Sequence, residues 1–111
     1  MDNQFVFVND LSSSAQAPPD GILSRTLQND EISKVILFGF APGQELSAHH
    51  APYPATIQFI EGEASLLLGT ERMEVSAGAF AYMTPNLEHG IKAKTKVVFL
   101  FTWGRGWPPR Q

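Results

Sequence analysis

Residues 42–91 open on Pro42-Gly43, pass through His49-His50 and reach the turn Glu61-Gly62-Glu63. They close on Thr84-Pro85-Asn86-Leu87-Glu88-His89. All three histidines of the chain stand in this stretch, two near its start and one near its end. Between them, Ala55-Thr56-Ile57-Gln58-Phe59-Ile60 alternates with the period of two that marks a strand. Residues 64–68 form a second such run. Gly69-Thr70 then offers a glycine for a positive φ, and residues 72–75 return as the hairpin partner. Ala77-Gly78 turns the chain again, residues 80–83 make a further strand, and Pro85-Asn86 bends the chain before His89.

The flanks continue the pattern. Downstream, residues 90–93 alternate, with His89, Ile91 and Ala93 on one side and Lys92 and Lys94 on the other. Residues 97–103 form the last strand, setting Val97, Phe99, Phe101 and Trp103 against Val98, Leu100 and Thr102. Upstream, residues 32–40 are apolar on both parities in their second half, which predicts cover on both faces. Before them come a β-prone run at residues 5–8, a small, proline-bearing loop at 12–21 and a strand at 22–27. A short strand is expected at 46–50, stopped by Pro52 and Pro54. No 3.6-residue periodicity persists for three turns. Many short strands between Gly, Pro and Asn turns predict an all-β antiparallel sandwich or barrel with little or no helix.

At 111 residues the chain makes one domain with a single core. Its parts are a barrel core at about 32–103, an N-terminal strand and loop at 1–31, and a C-terminal arm at 104–111 that carries Trp107. That arm is read as folded onto the domain or onto a neighbouring subunit. Apolar residues make up 43% and charged residues 17%, a globular balance, and a net charge of −3 favours neither nucleic acid nor an anionic membrane. The absence of cysteine excludes disulfides, thiolate metal sites and a cysteine nucleophile. With no signal-like N-terminus and no spanning apolar run, a soluble cytoplasmic protein is expected.

Two motifs now resemble the cupin superfamily, in its small RmlC-like jelly-roll form. Gly43, five residues and His49, with Gly62 closing the segment, match the first cupin motif. Gly78, five residues, Thr84, Pro85, Asn86 and His89 match the second, with Asn86 in the place of a glycine. The likeness covers roughly residues 34–101 and implies a jelly-roll barrel that forms a homodimer. It also implies a divalent-metal site, but Ala51 and Ala55 occupy two of the four usual ligand positions and have no donor atom. His49 and His89 match the other two. His50 is the candidate third ligand, although plain alternation would group it with Leu46 and Ala48, whereas the motif selects His49.

Other oxygen donors are less persuasive. Gln58 falls on the parity opposite Ala55, Ile57 and Phe59, Glu88 neighbours His89, and Glu61 and Glu63 read as solvated turn residues. Lys92, Lys94 and Lys96 read as a solvated strand face that discourages edge pairing.

Two functions follow from these residues. In the first, the lumen binds a small organic ligand at His49, Tyr53, Ile57, Phe59, His89 and Phe99, without a cofactor. In the second, His49, His50 and His89 hold Fe, Mn, Ni or Zn in an enzyme of dioxygenase or isomerase type. A metal-free enzyme with His89 as general base is a third alternative, lacking an evident acid beyond Tyr53, Tyr82 or Glu88.

Overall fold

The structure, a computed structural model, describes residues 4–104. Among these residues nine strands follow one another: β1 Ile22–Asn29, β2 Ser33–Phe40, β3 Glu45–His49, β4 Ala55–Glu61 and β5 Glu63–Leu68, then β6 Glu71–Ser76, β7 Phe80–Met83, β8 His89–Ala93 and β9 Val97–Gly104. They pair antiparallel into two sheets, ordered β1-β2-β9-β4-β7 and β3-β8-β5-β6. This is the jelly roll that the strand pattern and the motifs predict. Of the expected C-terminal arm, Gly104 belongs to β9, and the rest, with Trp107, lies outside the described residues.

The turn chemistry places the strands. Asn86 has φ 68°, so it does adopt the left-handed conformation that its position in the motif asks for. Its N–H donates to the Ala51 carbonyl at 2.7 Å, tying the β7–β8 bend to the segment after β3. Gly62 combines φ 89° with an approach so close that a Cβ would meet the Lys96 carbonyl oxygen at 1.9 Å, so only glycine fits there.

Both parities of β2 are buried, as its composition predicts, but by different partners. Phe38 and Phe40 pack in the lumen cluster with Phe59 and Phe99. Leu37 packs on the outer face with Val98 and with Ala15, which ends the 3₁₀ turn Ser13–Ala15. A Cβ on Gly39 would lie 1.8 Å from the Ala15 carbonyl oxygen, so this turn sits directly on the sheet backbone. Ser12 hydrogen-bonds Glu61 and Lys96 reaches Gln16, which fixes the turn from both sides.

Two expectations change. Residues 5–8 are not a strand: Val6, Phe7 and Val8 border an outer groove with Leu27, Val35 and Leu100 instead of joining a ladder. Phe5 and Phe7 remain 79% and 74% exposed. β-Propensity in a short run does not make a strand without an edge to pair with. β2 begins at Ser33, one residue later than expected, because the Asp30 carboxylate accepts the N–H groups of Ile32 and Ser33 at 2.8 and 2.9 Å. That turn leaves Ile32 exposed.

Candidate functional site

The inner face of the larger sheet is a ladder of rungs. Phe38, Phe99 and Phe59 pair across it first. Ile36, Phe101, Ile57 and Ala81 form the next rung, and Lys34, Trp103, Ala55 and Met83 the one after. The first two rungs fill the barrel. On the third, Ala55 presents a methyl where its predecessors on β4 present an isobutyl-sized or benzyl group. A pocket of about 170 Å³ opens there. Its walls are Ala51, Ala55, Met83, Leu87, Phe101 and Trp103, with Tyr53 and Thr84 adding hydroxyls and His49 and His89 adding imidazoles.

His49 and His89 face each other because β3 is kinked. Leu46 pairs with Ile91 and His49 with His89, so three steps along β3 match two along β8. This bulge turns both Leu46 and His49 inward, which plain alternation forbids. Leu46 packs against the lumen core, and the two imidazole centroids lie 4.3 Å apart. His50 is exposed and does not line the pocket.

Each of the two imidazoles is held in the same way. His89 Nδ1 lies 3.0 Å from the Leu87 carbonyl oxygen and His49 Nδ1 lies 2.9 Å from that of Ser47. A carbonyl only accepts, so each Nδ1 carries a hydrogen and each neutral ring offers Nε2 as a bare lone pair. Only 5% of His89 is exposed, and its Nε2 is buried with no hydrogen-bond partner among the described residues. Such an orphaned acceptor costs about 1–3 kcal/mol. Burial pushes the His89 pKa below the ordinary imidazole value of 6.5; the Leu87 carbonyl opposes this, and His49 and His50 add to it.

The donors present do not complete the metal site that the motifs imply. The methyls of Ala51 and Ala55 stand on the pocket wall at the two vacated ligand positions. Among the described residues, no group of three or more His, Cys, Asp or Glu side chains is placed to hold a metal ion. Two imidazoles fall short of the three protein ligands that zinc and non-haem iron sites use. Glu88 and Gln58 are both exposed, Gln58 as its parity predicts.

Of the six expected ligand-binding residues, the pocket gathers His49, Tyr53 and His89. Ile57, Phe59 and Phe99 share the lumen but lie deeper, packed in the core at 1% exposure or less. Phe101 and Trp103 are not among the six expected residues, yet they form the pocket wall, with ring centroids 5.1 Å apart. Parity had put both on the face of Phe99. Their depth depends on the Ala55↔Trp103 register, which a single strand does not reveal.

A family model described as the cupin domain matches residues 36–103. The chain belongs to the cupin family. A conserved protein of unknown function from Streptococcus pyogenes superposes with a TM-score of 0.82 at 23% identity, over 100% of this cupin and 93% of that chain. A cupin superfamily protein from Desulfitobacterium hafniense gives 0.82 at 20% identity, over 86% and 87%. KdgF from Halomonas sp. gives 0.74 at 17% identity, over 93% and 96%. At these identities the likeness establishes the fold and no more. No curated protein matches the chain. Among the described residues, no helix is long and apolar enough to cross a membrane.

Proposed function

We propose that this cupin is a binding module whose lumen pocket holds a small organic ligand, with His49 and His89 as polar anchors and Tyr53 at the rim. One observation supports this most: the residues that deplete the metal site are the residues that create the room. A cavity of about 150 Å³ accommodates a benzene-sized molecule, and this one measures about 170 Å³ between apolar walls and two imidazoles. Removing a ring-sized ligand from water supplies the affinity, and the imidazoles supply the orientation.

A thermal-shift titration with toluene and phenol tests this reading, read alongside indole fluorescence in a Trp107→Phe background that leaves Trp103 as the reporter. Saturable stabilisation is expected. If neither probe shifts the transition at millimolar concentration, the binding reading is wrong.

The metal-dependent reading, with Fe, Mn, Ni or Zn on His49, His50 and His89, is the alternative, and it requires His50 to turn inward from its exposed position. Elemental analysis of protein purified without an affinity tag distinguishes the two. Stoichiometric metal that disappears in His89→Ala would favour the metal enzyme.

We further propose that two copies associate through the outer face of the larger sheet. Phe80 and Tyr82 are 64% and 55% exposed there, beyond the part covered by the 3₁₀ turn. Sedimentation of a stable monomer at micromolar concentration would refute the dimer.

A further inference from the structure

The pocket is specific about the kind of polar group it can satisfy. Both imidazoles have committed Nδ1–H to a backbone carbonyl, Leu87 for His89 and Ser47 for His49. The hydrogen-bonding atom each has left in its neutral form is the acceptor Nε2. That of His89 is buried and unpartnered among the described residues, and burial favours the neutral ring. A ligand that brings only lone pairs, such as a carboxylate, would set acceptor against acceptor. A ligand with an O–H or N–H would satisfy the orphaned nitrogen.

The walls determine the rest of the molecule. Phe101 and Trp103 present rings, and the methyls of Ala51 and of Ala55, which stands beside Trp103 on the same rung, leave a space about one six-membered ring in size. An unbranched alcohol could donate but would leave the aromatic wall poorly covered. A flat ring with one donor on its edge meets both demands.

We propose that the pocket selects an uncharged, ring-sized aromatic molecule bearing a hydrogen-bond donor, a phenol or an azole N–H, and that it presents this donor to His89 Nε2. His49 serves as the second acceptor at the rim. It is exposed and its centroid is 4.3 Å from that of His89, so it borders the position the donor occupies. This inference rests on the binding reading above and adds a chemical class to it.

The test compares phenol, anisole, toluene and benzoate by isothermal titration at mildly alkaline pH, on the full chain and on His89→Phe. Phenol and anisole differ in the donor hydrogen, toluene reports the apolar contribution alone, and benzoate brings a ring with only acceptors. Phenol is expected to bind at least about tenfold more tightly than anisole or toluene, the discrimination of one buried hydrogen bond. Benzoate is expected to bind more weakly than all three. In His89→Phe the preference for phenol should disappear while toluene still binds.

Equal binding of phenol and toluene to the unaltered protein would overturn the donor inference and leave the binding module standing. So would tightest binding by benzoate, or a phenol preference that survives in His89→Phe. No binding by any of the four would overturn both. Should His89→Phe fail to fold, imidazole ¹⁵N shifts of the unaltered protein decide the matter. The His89 spectrum must show the Nδ1–H tautomer, and phenol must move its Nε2 resonance; an Nε2–H tautomer, or an Nε2 signal indifferent to phenol, defeats the proposal.

Discussion

The two ends of the barrel are built from the same strands and do opposite things. β4 contributes Phe59 and Ile57 to the closed end and Ala55 to the open one, while β9 contributes Phe99 below and Trp103 above. Below, Phe38, Phe40, Phe59 and Phe99 form a cluster of ring contacts, with Phe38 and Phe99 stacked at 5.0 Å between centroids. Above, the methyls of Ala51 and Ala55 leave a pocket, and a buried nitrogen goes without a partner. One end uses its residues for stability and the other gives up some stability to keep a site open. Sheet register decides which is which, since strand parity alone makes the inner faces of both ends look alike.

The contrast can be broken most severely from below. Phe99→Ala removes a fully buried ring that touches Phe38, Phe40 and Phe59, and should cost about 3–5 kcal/mol. Denaturant unfolding would show this as a large fall in midpoint. A loss below about 1 kcal/mol would mean that the closed end is not the stability centre.

Acid should act on the upper end, and more gently. His89 titrates lower in the folded protein than in the unfolded chain, whose ordinary value is 6.5. As pH falls below that value the unfolded chain takes up a proton first, so stability is complete above it. Stability then declines as pH drops towards the folded value and flattens beneath it as far as this group is concerned. Unfolding midpoints measured across this window should carry a component that is absent from His89→Gln; identical slopes in the two proteins would show that burial of this ring is not felt.

The smallest effect on stability, and a complete one on binding, is expected from Ala55→Leu. The added isobutyl group enters existing space, so overpacking is avoided and stability should change by no more than about 1 kcal/mol. Phenol and toluene should then no longer bind. Undiminished binding in this variant would place the ligand site elsewhere.

Much of this molecule was legible in advance, and the reasons lie in particular residues. Asn86 could be read as left-handed because few residues tolerate that backbone, and its φ of 68° agrees. The two apolar parities of β2 predicted cover on both faces, which the lumen cluster and the Ala15 turn supply. Gln58 could be excluded from the lumen by parity. By contrast, residues 5–8 have strand-like composition and no ladder, since pairing is a property of two segments. The same limit hid the roles of Phe101 and Trp103, whose parity was plain and whose depth was not.

What the sequence determined by itself is the jelly roll and the depletion of its metal set. Turn residues, alternation and the absence of donor atoms from Ala51 and Ala55 are local facts, complete without knowledge of what lies opposite. Alternation and the motif disagreed over His49 and His50, and the tertiary structure decided for His49, as the motif had it, through a bulge defined by the pairing of β3 with β8. It also decided that Ala51 and Ala55 border a pocket. A methyl leaves a space only when the rungs on either side are too far apart to close over it, and that separation belongs to the two sheets together.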